Sequence, residues 1–425
     1  MRLTLLRLAR SLGAAAALAA TAAPAALAQT PTRAPVRPER MDPAPERGAA
    51  AGVWSRERAM AWQRETGWLA GSNFAPSTAI NQLEMWQAET FDPATIDREL
   101  GWARSLGFNT MRVFLHDVPY RQDSAGFLRR VDQFLALASR HRIRPMLVLF
   151  DGVWDPYPRA GRQRVPKPHL HNSGWMQSPG VIILGDTARH AELEGYVKGV
   201  IGRFKNDRRV VAWDLFNEPD NMNPSSYYAQ EPLDKAELSL ALLSKTFGWA
   251  RQVNPSQPLT VGPWKGDFVD EARMLPISRY MLENSDVITF HSYDPPETVA
   301  RLITALERYG RPILCTEYMA RPRGSTFEAV LPLFKQRGVG AYNWGFVAGK
   351  SQTIYPWNSW DSSYTGEPPM WFHDIFRANG TPYNSAEVAA IRKITGTRAA
   401  APAVLRPRTP VMRVPARRTG ATAPR

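Results

Sequence analysis

The chain has 425 residues, a formal net charge of +14 and a single cysteine. One cysteine excludes an internal disulfide framework, so stability must come from the size of the core. The charge does not mark a nucleic-acid binder: residues 1–50 carry seven arginines against three acids, residues 397–425 carry seven with no acid, and +3 remains for the middle.

Arg2, Arg7 and Arg10 precede an Ala/Leu-rich stretch that ends in Ala26-Leu27-Ala28. A charged start, a short apolar core and a small-residue end predict a secretory signal over 1–28, and hence export to a periplasm or to the medium. The apolar core is shorter than the ~20 residues a bilayer span needs, and no other stretch is long and apolar enough, so no integral membrane span is expected. Residues 29–50 and 397–425 are rich in Pro, Ala and Arg and cannot bury a core. They are expected to be a disordered linker and a disordered basic tail. Weak adhesion to acidic surface polymer or membrane headgroups is the functional reading of that tail.

Residues 51–396 are expected to form one domain in which strand-like runs alternate with helical ones. A strand over 67–74 leads to a helix opened by Asp92-Pro93, a cap followed by proline in the first turn, and ended near Gly107. A strand over 109–115, a helix over 126–141 and a strand over 145–150 follow. A long Pro/Gly/aromatic loop over 151–186 and a helix to 204 come next. The fourth strand begins at 210, with a loop through 228 and a helix over 234–253 after it. Strands over 259–264, 286–291, 313–317 and 340–346 complete the series, with helices over 298–309 and 326–337. Strands this continuously apolar predict a closed parallel (β/α)8 barrel, the TIM-barrel architecture, as a single catalytic domain with extended βα loops. The competitor is a doubly wound open sheet. Its glycine-rich dinucleotide turn is missing at Gly71-Ser72-Asn73-Phe74.

Two of these strands carry chemistry. The run from Val210 to Phe216 ends in Asn217-Glu218-Pro219, and Pro219 cannot donate to a sheet ladder, so the strand stops there. Asn217 and Glu218 are left at the carboxyl edge, where α/β folds place their sites. Pro312-Ile313-Leu314-Cys315-Thr316-Glu317-Tyr318 repeats the pattern. In a barrel both glutamates face one mouth. Two carboxylates across a cleft, one protonated and one ionised, are the minimum equipment for hydrolysing a glycosidic bond. Asp214 sits four residues before Glu218, about 13 Å deeper at strand spacing, and is expected to pair inside the barrel with Arg112. Cys315, in the middle of an apolar strand, is expected to be a buried packing residue rather than a nucleophile.

Asn217-Glu218-Pro219, with Glu317 three strands later, resembles clan A glycoside hydrolases, and the cellulase-like glycoside hydrolase family 5 in particular, over about residues 65–395. Asn109-Thr110-Met111-Arg112-Val113 resembles the family's second-strand segment, whose arginine lies beside the nucleophile. His291-Ser292-Tyr293 resembles its sixth-strand His-x-Tyr, and Trp344 the eighth-strand tryptophan that floors the sugar subsite. The resemblance implies a retaining β-glycosidase that needs no cofactor and no metal and whose partner is a β-linked glucan, mannan or related carbohydrate. It makes Glu218 the general acid and then base, its pKa raised by the charge of Glu317. It makes Glu317 the nucleophile, kept ionised by Arg112 and oriented by the Tyr293 hydroxyl. Asn217 is to bond the sugar 2-hydroxyl, His291 to be a hydrogen-bonding wall residue, and Trp344 to stack on a sugar face.

There is one departure from the family pattern. A histidine often ends the third strand, and Phe150-Asp151-Gly152 stands here instead. Asp151, or His116 from the neighbouring strand, is the candidate to take over that contact. His169-Leu170-His171 has no third ligand nearby and is not expected to bind metal. Trp86, Trp154, Trp175, Trp264, Trp357 and Trp360 fall in or beside upper loops, as sugar platforms or as packing. The same residues also fit a non-catalytic carbohydrate-binding barrel and a transglycosidase with a sugar as acceptor. Sugar identity, linkage and endo or exo action stay open.

Overall fold

Eight apolar runs form eight parallel strands. They are β1 (Ala70–Phe74), β2 (Thr110–Phe114), β3 (Met146–Asp151), β4 (Ala212–Asn217), β5 (Leu259–Gly262), β6 (Ile288–His291), β7 (Ile313–Tyr318) and β8 (Gly340–Asn343), and every strand residue is buried. The computed structural model describes residues 52–397. The expected signal over 1–28, the linker over 29–50 and all of the basic tail beyond Thr397 lie outside the described residues.

The sheet runs in the order β5-β4-β3-β2-β1-β8-β7-β6. Its two ends meet: the Asp286 N–H donates to the Leu259 carbonyl at 2.8 Å and the His291 N–H to the Pro263 carbonyl at 3.2 Å. Between them the Thr289 hydroxyl donates to the Val261 carbonyl at 2.5 Å. The result is the expected (β/α)8 barrel, closed by a few bonds rather than a full ladder. Among the described residues no helix is long and apolar enough to cross a membrane.

The helices follow from their patterns. Asp92 caps Pro93–Ser105 by accepting the Thr95 N–H at 3.0 Å. Ser124–Arg140 buries Phe127, Val131, Phe134, Leu135 and Ala138, one face at helical spacing, against the strands. Glu194–Phe204, Lys235–Val253, Pro296–Glu307 and Phe327–Arg337 cover the other strands in the same way.

Several elements differ from expectation. The first strand loses its start because Gly67, at φ 74°, ends a helix Arg56–Thr66 that buries only Ala59 and so has no hydrophobic stripe to announce it. The eighth ends at Asn343 because Gly345 adopts φ 78°. Further helices lie at Asp117–Gln122, Val181–Leu184, Pro276–Asn284 and Ser385–Thr395. Cys315 is buried on β7, where its Sγ–H points to the Glu317 carbonyl at 3.3 Å and burial pushes the thiol pKa up.

Candidate active site

The barrel interior is polar where β2, β4 and β7 converge, and Arg112 of β2 organises it. This side chain is fully buried. Its Nε donates to Asp214 Oδ2 at 2.9 Å and its Nη2 to Asn217 Oδ1 at 2.6 Å. Its Nη1 donates to Asn73 Oδ1 and to Glu317 Oε1, each at 3.0 Å. A planar fork with donors on three sides does this; a point-charged ammonium does not. The pair with Asp214 expected from strand depth is thus present, and it holds the guanidinium against the tip of β7.

Glu317 accepts on both oxygens. Oε2 takes the Tyr293 hydroxyl at 2.7 Å and lies 3.7 Å from His291 Nδ1. Opposite it, Glu218 has Oε1 2.6 Å from His291 Nδ1 and Oε2 2.7 Å from the Asn221 amide nitrogen. Glu218 stands just past β4 with φ 43°, left-handed backbone that residues with a side chain rarely take. Its N–H is held by the Gly262 carbonyl at 2.8 Å. On the other side its carbonyl touches Gly152, where a Cβ would come to 2.4 Å.

Burial raises the pKa of Glu218 to about 7, with the Asn221 hydrogen bond opposing. Loss of solvent is the main cause; the expected repulsion between the two carboxylates is present as well, and it acts to raise Glu317. Burial raises Glu317 as well, and the neighbouring Glu218 carboxylate adds to the rise, while His291, the Arg112 guanidinium and the Tyr293 hydroxyl work against it. The two acids therefore differ by one direct guanidinium contact, which favours the charged form of Glu317. Burial drops His291 to about 4, so the ring is neutral. A neutral imidazole serves both forms of Glu218, accepting from the acid or donating to the carboxylate, and its Nε2 has no hydrogen-bond partner to block the switch.

Glu218, His291 and Glu317 are also the one trio of candidate metal donors among the described residues, with one donor atom of each within 4.8 Å of the others. Both Glu317 oxygens are already engaged, and a cation there would face the guanidinium. The arrangement suits two acids and a bridge better than a metal cage.

Above the pair opens a cleft of about 620 Å³. Trp344 forms part of its floor, set edge-to-face against Phe114 and Trp175 with ring centroids 5.8 Å away in each case. Trp154, Trp264 and Trp357 line its sides.

The family model for cellulase (glycosyl hydrolase family 5) matches residues 103–349, more than half of the chain. The chain belongs to glycosyl hydrolase family 5. It is 26% identical over 174 residues to an Aspergillus niger protein described as probable mannan endo-1,4-beta-mannosidase A, over 36% of this chain and 40% of that protein. Its backbone matches the exo-beta-1,4-mannosidase Op5Man5 of Opitutaceae bacterium strain TAV5 with a TM-score of 0.53 at 20% identity, over 78% of this chain and 60% of that one. It matches XEG5A, a xyloglucan-specific endo-beta-1,4-glucanase from a metagenomic library, with a TM-score of 0.52 at 15% identity, over 80% and 99%. At these identities the two structural likenesses speak for the fold alone. The chain spans well under two thirds of the length of the curated relative.

Within this family 5 chain, six of the residues singled out from sequence meet at the cleft: Glu218, Glu317, Asn217, His291, Tyr293 and Trp344. Three do not line it. Arg112 lies beneath the carboxylates and positions Glu317 without facing the cleft. Asp151 belongs to β3 itself and is turned away. It accepts the Asn217 amide at 3.0 Å, the Trp175 indole N–H at 2.7 Å and the Gln82 amide at 2.9 Å. Its acceptors are spent on orienting Asn217 rather than on sugar. His116 is fully buried as the cap of Asp117–Gln122, its Nδ1 accepting the Val118 N–H at 3.1 Å, 3.2 Å from Asp117. His291 is more than a wall residue, since it bridges the two acids. Of the upper-loop tryptophans, Trp86 and Trp175 are buried, and Trp360 stacks on Trp154.

Asn221 was not singled out, although a signal existed. Glu218-Pro219-Asp220-Asn221 has proline at the second turn position, and a turn of that kind brings its fourth residue back to its first. The Asn221 N–H does bond the Glu218 carbonyl, at 3.1 Å.

Proposed function

We propose that the protein is an exported retaining β-glycosidase acting on β-linked glucan- or mannan-type saccharides by double displacement. The observation that carries this reading is the spacing of Glu218 and Glu317, with carboxylate oxygens within 4.8 Å. Retaining enzymes hold the pair about 5–5.5 Å apart, whereas inverting ones leave room for a water between them.

Glu218, carrying a proton near neutral pH, gives it to the glycosidic oxygen as that bond breaks. Glu317 attacks the anomeric carbon from the other face and forms a glycosyl ester. Glu218, now a carboxylate, takes a proton from water, whose oxygen displaces Glu317 and restores the original configuration. Asn217, with its carbonyl tied to Arg112 and one amide hydrogen to Asp151, keeps its second amide hydrogen for the sugar 2-hydroxyl. Trp344 offers a face to the C–H groups of the ring. The substrate class is supported by the family's cellulase description and by the mannan-directed name of the Aspergillus niger relative. An acid and a nucleophile both in working positions oppose a purely binding role.

Release of a chromophore from aryl β-glycosides tests this. Glu317→Ala should abolish turnover, and Glu218→Ala should lose ~10²–10⁴-fold on poor leaving groups but far less on activated ones. Equal losses on both kinds would remove Glu218 as the acid. Export rests on the charged, apolar and small-residue order of residues 1–28. Protein recovered from culture fluid or periplasm should begin at Gln29, and recovery of the full-length chain from cytoplasm alone would refute it.

A further inference from the structure

We infer that the cleft is blind at its glycone end, so that the protein removes sugars from the non-reducing terminus of a chain rather than cutting within it. This rests on the β-glycosidase reading above and deepens it.

Direction comes first. The leaving oxygen must face Glu218, the proton donor just past β4, while the ring being attacked lies over Trp344, just past β8. The aglycone therefore runs out past the connections that follow β4, β5 and β6. The sugar on the glycone side, and anything attached to it, points toward β8, β1 and β2.

That side is walled. No residue of the connections after β1 and β2 lines the cleft, because the long connections after β3 and β8 meet in front of them. The Asn172 N–H donates to the Ser351 carbonyl at 2.9 Å, and the Gln352 amide to the Lys167 carbonyl at 2.7 Å. The His171 N–H donates to Ser359 Oγ at 3.0 Å, and the Trp360 indole to the His171 carbonyl at 2.9 Å. The β1 connection is sewn into the same wall: Lys350 pairs with Glu84 at 2.6 Å, and the Asn81 amide donates to the Gly174 carbonyl at 2.8 Å. Backbone bonded on both sides cannot swing aside for a polymer without losing several bonds together.

The inner face of the wall is polar in the right way. Asn172 is 1% exposed and lines the cleft, yet neither its Oδ1 nor its Nδ2 has a hydrogen-bond partner. A buried amide left unpaired on both atoms is costly. A terminal pyranose presents adjacent hydroxyls, each both donor and acceptor, and these satisfy it once the Asn172 side chain turns toward the cleft. A sugar whose hydroxyl is already glycosylated has no such hydroxyl to offer and runs into the wall.

Two series of aryl β-oligosaccharides, glucosyl and mannosyl, with the non-reducing end either free or capped by a 4,6-ketal, test this on the wild-type protein. The expected result is release of one terminal monosaccharide at a time from the free series and at least a 100-fold lower kcat/KM for the capped one. Asn172→Ala should lower kcat/KM on the free series at least tenfold and leave the capped series unchanged. Cleavage of capped substrates at comparable rates, or early loss of viscosity from a polymeric glucan or mannan, would overturn the blind-end inference and leave the glycosidase reading standing. No release from any aryl glycoside in either series would overturn both.

Discussion

The two sides of the barrel mouth are built on different principles. On the side of β8, β1 and β3 the connections bond to each other, and they rest on buried acids. Glu99 accepts the Ser77 hydroxyl at 2.5 Å and the Ser77 N–H at 3.1 Å, while the Ser77 carbonyl accepts the Lys350 N–H at 3.0 Å. Burial raises the pKa of Glu99 to about 7, and of Asp151 and Asp374 on the same side to about 6. The β4 connection is bonded to the β3 one, with the Trp154 N–H on Asn223 Oδ1 at 2.7 Å and the buried Lys235 on the Gly152 carbonyl at 2.7 Å. Beyond it, on the side of β5 and β6, the rim is tied by fewer polar contacts, such as Lys265 and the Trp264 indole on Asp220 at 2.6 and 3.0 Å, and Val269 lines the cleft half-exposed at 52%. One side spends its polar groups on itself, and the other leaves surface for a visitor. The two carboxylates sit between these sides, with Glu317 braced from beneath by Arg112 and Glu218 held in the turn that opens the β4 connection.

Removing the shared base should do most harm. Arg112→Met leaves Asp214 and Glu317 buried without their cation and should cost about 3–5 kcal/mol in denaturant unfolding. A loss under ~1 kcal/mol would mean that the buried cluster does not brace the mouth. A matched pair of tryptophans separates the two sides. Trp360→Ala, which removes the stack on Trp154 and the bond to the His171 carbonyl, should cost about 2 kcal/mol of stability. Trp264→Ala should leave stability within ~0.5 kcal/mol but raise KM about tenfold, or 1.4 kcal/mol, for substrates with long aglycones. If both variants lose stability equally, the contrast between the two sides fails.

The smallest effect concerns Asn221. Its amide donates to Glu218 and so favours the carboxylate. With Glu218 as the proposed acid, kcat/KM should fall as pH rises through about 7. Asn221→Ala removes a bond that lowers the pKa, so this alkaline limb should move to higher pH, by up to about one unit. An unmoved limb, or a shift downward, would deny Asn221 that role.

Much of the barrel could be read from the chain because β4 and β7 are mostly apolar and then end at or beside a glutamate. The Arg112–Asp214 pair was legible too, since depth along a strand is simple counting. Asp151 and His116 were not. Which way a side chain points after a strand ends depends on what packs over it, and here Trp175 and Gln82 claim one while a short helix claims the other. The direction of the Glu218 pKa was legible, but its main cause, burial, does not show in a motif. The wall was least visible of all. The bond from Trp360 to His171 joins residues 189 positions apart, and no local pattern carries such a pairing.

Cys315 has a practical consequence. The chain's one thiol is sealed within β7 and stays protonated, so maleimides and similar reagents should pass it by. Cysteines introduced together on the rim at Asn358 and Val269 would then be the two points of attachment for dyes or spin labels. Distances between such labels would report directly whether the mouth breathes during turnover.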